Sequence, residues 1–174
     1  MVNNGEPFVF WIKQGKEIKE IKRVLIVENL SFFHTSIKLL EANQLDYDPE
    51  LIIYGEGTKI ERSFSYFFRM FPDKSYLFYY AGDLDAAGYG ILCRLIEKYP
   101  DCCIQPALKI YRKMLECLEQ KNDQKQGQTG SVQYRDSFFQ WFEEEEQVLL
   151  QHLWQENKRI PQEVLTIETW RRWM

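Results

Sequence analysis

Short, uninterrupted apolar runs occur at intervals along the first two thirds of the chain. They have the length and composition of strands that are buried on both faces of a sheet. The three clearest runs are Val24–Val27, Leu51–Tyr54 and Tyr76–Ala81. A fourth strand is expected at Cys102–Ile104, and Phe8–Ile12 has the pattern of an edge strand.

The segments between these runs carry apolar residues at helical spacing. After the first strand, Ser31 is a suitable N-cap for a helix that ends at about Glu41. Thr58 is a suitable cap for a second helix through Arg69, and a third helix is predicted over Ala86–Lys98. Strands that alternate with helices in this way predict an α/β fold with a parallel sheet.

Beyond the fourth strand the pattern is mainly helical. The spacing predicts helices over 107–121 and 134–157, and a short helix over 167–174 that follows Pro161. The polar stretch 122–131 has the composition of a flexible loop. We therefore divide the chain into an N-terminal extension or linker (1–23), an α/β domain with a four-stranded parallel sheet flanked by helices (24–121), the flexible loop (122–131) and a tail of C-terminal helices packed on the same domain (132–174).

The overall composition narrows the class of protein. The chain has 174 residues, 45% of them hydrophobic and 16% aromatic, which suits one packed core and argues against disorder. Because the net charge is −4, contact with nucleic-acid phosphates needs a local basic patch or a bridging metal.

With two histidines and no Cys-x-x-Cys pair, a zinc site is not expected. The apolar setting of Cys93 and Cys117 and the lack of a signal peptide or transmembrane run favour a soluble, cytoplasmic protein with no membrane partner.

Carboxylates follow two of the predicted strands at the point where each strand ends. Glu28 comes directly after the first strand, and Asp83 and Asp85 come after the third. Because the carboxyl ends of parallel strands share one edge of a sheet, we expect these side chains to lie within reach of one another. Their repulsion would raise one pKa or recruit a hard divalent cation such as Mg²⁺. Either outcome suits acid/base or metal-assisted phosphoryl chemistry.

Two of these carboxylates also have a purely structural interpretation. Asp85 precedes the helix that begins at Ala86 and has the side chain of an N-cap. Glu28 lies just before another helix, where a negative charge interacts favourably with the helix dipole.

The same residues resemble a known family. Val24–Asn29 together with Asp83-Leu84-Asp85 is similar to the Toprim domain of topoisomerases, primases and related nucleases, which has a Glu after its first strand and an Asp-x-Asp after a later one. A narrower resemblance, over about residues 24–165, is to the C-terminal domain of JetD, the nuclease subunit of the Wadjet anti-plasmid system. It rests on four segments: Val27–Phe33, Gly55–Gly57, Tyr80–Gly88 and Glu156–Glu163.

The resemblance implies a Toprim-like fold and a metal-dependent DNA endonuclease. It implies that Glu28 is a catalytic acid/base or metal ligand, and that Asp83 and Asp85 are catalytic residues that hold Mg²⁺ or Mn²⁺. Glycines would let the backbone turn tightly or approach a phosphate; they are Gly55, Gly57, Gly82 and Gly88. Supporting or DNA-facing contacts would come from Asn29, Glu156 and Arg159.

The resemblance also implies partners. These are DNA and a larger defence complex with SMC-like subunits, and the scattered basic residues suggest that a homodimer could complete the site. A different interpretation is a non-catalytic Toprim-like module that docks DNA or partner subunits. The acidic net charge and the aromatic C-terminal helices are also compatible with that module.

Overall fold

The structure, a computed structural model, describes residues 6–124 and 130–174 and is built around a five-stranded sheet. Its strands are β1 (Val9–Ile12), β2 (Arg23–Val27), β3 (Leu51–Tyr54), β4 (Leu77–Ala81) and β5 (Cys103–Pro106). They lie in the order β1-β3-β2-β4-β5, and β2 to β5 are parallel. The α/β class and the four parallel strands are therefore confirmed. The prediction of a four-stranded sheet was wrong by one strand, because β1 pairs antiparallel with β3 at the edge.

The central strands form because their apolar runs are buried from both sides. Val24–Val27 and Leu51–Ile53 have no exposed surface, as expected for strands covered by helices on both faces. The register pairs Val27 at the end of β2 with Tyr54 of β3 and with Ala81 of β4. The residues that follow these three strands therefore leave the sheet side by side at one edge.

Helices pack around this sheet and continue to the C-terminus. Those before residue 124 are α1 (Leu30–Glu41), α2 (Ile60–Ser63), α3 (Phe67–Met70), α4 (Ala86–Lys98) and α5 (Leu108–Leu115). Those after residue 130 are α6 (Val132–Phe139), α7 (Glu144–Gln155) and α8 (Ile167–Arg171). Within the described residues, none of the helices has the length and apolar character needed to cross a membrane.

Several predicted helices differ from the observed ones; the helix predicted over 107–121, for example, is observed as α5 and ends at Leu115. The N-cap of α1 is Asn29 and not Ser31, because the Asn29 side chain accepts a hydrogen bond from the Phe32 N–H (3.1 Å). The helix predicted from Thr58 is a series of short turns that includes α2 and α3. The single helix predicted over 134–157 is interrupted between α6 and α7, where Glu143 and Glu146 form a capping box that starts α7.

A short antiparallel ribbon ties the C-terminal region to the sheet edge. It consists of β6 (Asn122–Asp123) and β7 (Lys158–Arg159), so the predicted loop 122–131 begins with a strand, and its residues 125–129 lie outside the described residues. Directly after β7, Ile160 exchanges two backbone hydrogen bonds with Leu84 (2.9 and 3.2 Å). This bridge places the chain from 159 to 162 against the loop that follows β4.

Candidate active site

Glu28 lies at the carboxyl end of β2 and reaches across to the loop that follows β4. Its backbone N–H donates to the Ala81 carbonyl (3.0 Å) and extends the pairing of the two strands. Its side-chain Oε2 accepts a hydrogen bond from the Asp83 N–H (2.9 Å). The structure thus brings Glu28 into contact with the backbone of the Asp-x-Asp segment, at the shared sheet edge where the sequence analysis placed both.

Asp83 is buried and has partners for both side-chain oxygens. Oδ1 accepts a hydrogen bond from the Gln162 N–H (2.7 Å), and Oδ2 forms an ion pair with Arg159 Nη2 (2.6 Å). The side chain is therefore fixed by the segment that follows β7. The orientation of Asp83 therefore depends on its contacts with Arg159 and Gln162, which are 76 and 79 positions away in the sequence.

Asp85 caps a helix and also contacts Arg159, although the sequence had left capping and a site role as alternatives. Oδ1 accepts a hydrogen bond from the Gly88 N–H (2.7 Å) and caps α4. Oδ2 lies 3.4 Å from Arg159 Nε. Because the side chain is almost completely buried, one carboxylate both starts the helix and contributes charge to the site.

Arg159 is the cation that contacts both aspartates. Only 6% of its surface is exposed, because the Leu84–Ile160 bridge holds β7 against the sheet edge. The residue predicted as a supporting or DNA-facing contact is thus a buried counter-ion in this structure. Glu156, predicted beside it, is instead half-exposed and pairs with Lys121 (3.0 Å).

The Glu28 carboxyl has an abnormally high affinity for its proton. Burial, followed by the negative charge of Asp83, raises its pKa from 4.5 to about 8. The hydrogen bond from the Asp83 N–H and the charge of Arg159 act in the opposite direction but are weaker. Near neutral pH, Glu28 therefore keeps a proton that an exposed glutamate would have lost.

Buried polar atoms without hydrogen-bond partners are concentrated here. Of five such side-chain atoms in the described residues, three belong to Tyr80, Arg159 and Gln162. The Tyr80 hydroxyl is close enough to Glu28 for the glutamate charge to raise its pKa further above the value that burial alone produces. Since native proteins rarely leave buried polar atoms unpaired, this edge has the character of a ligand site.

Gly82 makes the close approach of Glu28 possible. A Cβ at this position would collide with Glu28 Oε2, while the Gly82 N–H donates to the buried Tyr111 hydroxyl (2.9 Å). Gly55 and Gly57 have other roles. The Gly55 N–H donates to the Val27 carbonyl (2.7 Å), and Gly57 adopts a left-handed conformation with φ of +64° after β3.

Gln162 is the site residue that the sequence analysis did not select. Its side-chain Oε1 accepts a hydrogen bond from the Asn29 N–H (3.0 Å), and its own N–H binds Asp83. Asn29 also donates through Nδ2 to Glu163 (3.1 Å). Gln162 thus joins the ends of β2 and β4. Its segment has no periodic pattern that predicts such a contact, and the signal that could have found it is its place in the Glu156–Glu163 segment that carries the resemblance.

The donor chemistry of this edge fits a hard divalent cation. Asp83 and Asp85 both contact Arg159, Glu28 contacts the Asp83 backbone, and among the described residues none of the Lys or Arg side chains forms an ion pair with Glu28. In the described ranges, however, no three acidic, histidine or cysteine side chains already surround a point that could hold a metal. Instead, the Arg159 guanidinium lies against both aspartates.

Substituting Gly88 tests the packing of this loop on α4. A Cβ at Gly88 would collide with the backbone carbonyl of Asp83, which cannot move without disturbing the site. We expect Gly88→Ala to lower the free energy of unfolding by about 1–3 kcal/mol in urea titrations. The matched control is Gly90→Ala in the same helix, where the added methyl meets only the end of the flexible Arg94 side chain. Equal stability of the two variants would contradict this account.

Comparison with known proteins identifies the family. A family model described as Wadjet protein JetD, C-terminal, matches residues 8–174. No curated protein and no solved structure matches the chain. The narrower resemblance is thereby confirmed, whereas the Toprim assignment stays a prediction. The chain belongs to the family of the C-terminal domain of the Wadjet protein JetD.

Proposed function

We propose that this domain is a metal-dependent DNA endonuclease that cleaves phosphodiester bonds as part of a Wadjet plasmid-defence subunit. The observation that carries the proposal is the contact of the Glu28 carboxyl with the Asp83 backbone, beside the Asp83–Asp85 pair. It places Glu28 beside the Asp-x-Asp segment at the edge where parallel α/β sheets bind their ligands. DNA is the proposed substrate, and the proposed setting is a larger defence complex with SMC-like subunits, in which a homodimer could complete the site.

Mg²⁺ or Mn²⁺ would be held by Asp83 and Asp85, and Glu28 would either complete the ligand set or act as the acid/base beside the ion. When bound, such an ion polarises a phosphodiester and lowers the pKa of an attacking water. The chain itself supplies the orientation of the ligands: Asp85 is fixed by the N-terminus of α4, and Asp83 by Gln162 and Arg159.

Glu28 supports the proposal through its proton. A carboxyl group with a pKa of about 8 is protonated at neutral pH and can donate that proton to the oxygen that leaves a phosphodiester. Gly82 allows this carboxyl to lie against the backbone. The site therefore has a proton donor beside a pair of fixed carboxylates.

The direct test is the nicking of supercoiled plasmid in the presence of Mg²⁺ or Mn²⁺. We expect Glu28→Gln to reduce the rate at least tenfold, because the amide cannot donate an acidic proton and is a poorer metal ligand. The matched control is Glu56→Gln, which changes a half-exposed glutamate that pairs with Lys59 after the neighbouring strand β3. Equal rates for wild type and Glu28→Gln would contradict the proposal.

A second candidate function is a non-catalytic module that docks DNA or partner subunits. It is favoured by one observation: Arg159 already neutralises part of the charge on Asp83 and Asp85, so the fold has its own cation at the site. Calorimetry separates the two functions. A folded protein that binds DNA or a partner tightly but binds neither Mg²⁺ nor Mn²⁺ would be the docking module.

A further inference from the structure

Arg159 lies buried against both aspartates of the proposed metal site. Its Nη2 lies 2.6 Å from Asp83 Oδ2, and its Nε lies 3.4 Å from Asp85 Oδ2. The side chain is buried with the two aspartates. One guanidinium therefore occupies the space on which the oxygens of both carboxylates converge.

The contacts that hold Arg159 there are few. Its Nη2 makes the hydrogen bond to Asp83, but the buried Nε has no hydrogen-bond partner. Its strand, β7, is two residues long and pairs only with the equally short β6 within the described chain. Beyond that strand pair, the Leu84–Ile160 bridge connects this segment to the loop after β4. Displacement of the side chain would thus break the hydrogen bond to Asp83 and the longer ion pair with Asp85, and neither contact belongs to the five-stranded sheet.

We propose that Arg159 is an internal counter-ion that competes with a divalent metal ion for Asp83 and Asp85. The inference rests on the proposed metal site. A guanidinium and a divalent cation repel each other, so they compete where both depend on the same carboxylate oxygens. The arginine therefore stabilises the metal-free protein, and the ion binds to the minor population in which the side chain has moved away. The apparent metal affinity is lowered in proportion to that population.

The experiment measures Mn²⁺ binding to the full 174-residue chain by calorimetry, together with thermal unfolding with and without Mn²⁺. Arg159→Met keeps much of the side-chain length and removes the charge. We expect it to bind Mn²⁺ about tenfold more tightly than wild type or better, and to gain more in Tm from the added ion. The matched control is Lys158→Met, which removes the neighbouring cation whose partner, Asp123, is exposed. We expect it to bind Mn²⁺ as wild type does.

Arg159→Lys provides a second comparison, because it keeps the charge but loses the planar fork. We expect its Mn²⁺ affinity to stay within about threefold of wild type.

If Arg159→Met folds only when Mn²⁺ is added, the ion replaces the arginine and the proposal is supported. If it fails to fold even with Mn²⁺, or binds the ion no more tightly than wild type, the role of Arg159 as a competitor is wrong. Absence of Mn²⁺ binding in wild type and all variants would instead overturn the metal site itself, and the competition with it.

Discussion

Asp83→Ala is expected to lower the free energy of unfolding by about 3–5 kcal/mol, whether or not the domain is a nuclease. The substitution leaves the buried Arg159 guanidinium without its shortest contact and removes the acceptor of the Gln162 N–H. A buried charge that loses its partner keeps its desolvation cost, and a buried N–H without an acceptor adds to it. Urea denaturation at neutral pH, followed by circular dichroism, measures the difference.

The matched control for this prediction lies on the same ribbon. Asp123→Ala breaks the ion pair with Lys158 (2.5 Å), the neighbour of Arg159, but the Asp123 side chain is 83% exposed. Exposed ion pairs contribute little, so we expect a loss of about 1 kcal/mol or less. Losses of similar size in the two variants would show that Arg159 does not depend on Asp83 as the buried geometry indicates.

The meeting of Glu28 and Asp83 could be predicted from sequence because it follows from strand order alone. Two buried apolar runs that end in carboxylates place them at one edge once the runs form neighbouring parallel strands. The register of Val27 with Ala81 does this. The prediction needed no knowledge of side-chain contacts, only of the direction and burial of the strands.

Arg159 and Gln162 could not be placed in the same way. They enter the site through a ribbon of two-residue strands and one bridge between Leu84 and Ile160. Segments this short carry no measurable periodicity, and the bridge joins parts of the chain about 75 residues apart. The contact depends on tertiary packing, so the local sequence identifies an arginine before Pro161 but not the carboxylates it contacts.

Other differences had a local signal. The break between α6 and α7 coincides with Glu143 and Glu146, three residues apart, and this spacing is typical of a capping box at a helix start. Asp85 shows the opposite case, because capping and a site role were treated as alternatives although the observed cap leaves one carboxylate oxygen available for another contact. A carboxylate has two oxygens, and here one caps α4 while the other faces Arg159.

The pH dependence of stability provides a test of the electrostatics of the site that does not require activity. In the folded protein the pKa of Glu28 is raised from 4.5 to about 8. Between these values the native state holds a proton that the unfolded state has released, so its stability falls as the pH rises and then levels off above about 8. Glu28→Gln cannot ionise and still offers an oxygen to the Asp83 N–H, so it should lack this decline.

We therefore expect the stability of Glu28→Gln relative to wild type to rise by roughly 2–5 kcal/mol between pH 5 and pH 9. Urea titrations at a series of pH values in metal-free buffer measure this difference, and ionisations shared by both proteins cancel in it. Glu56→Gln, which changes a half-exposed glutamate at the same sheet edge, should have a pH profile parallel to that of wild type.

Because a bound cation stabilises the ionised carboxylate, added Mn²⁺ should flatten the wild-type decline if Glu28 is a metal ligand. Superimposable pH profiles for wild type and Glu28→Gln would mean that Glu28 is ionised like an exposed glutamate, and the proton donor in the proposed chemistry would be lost with it.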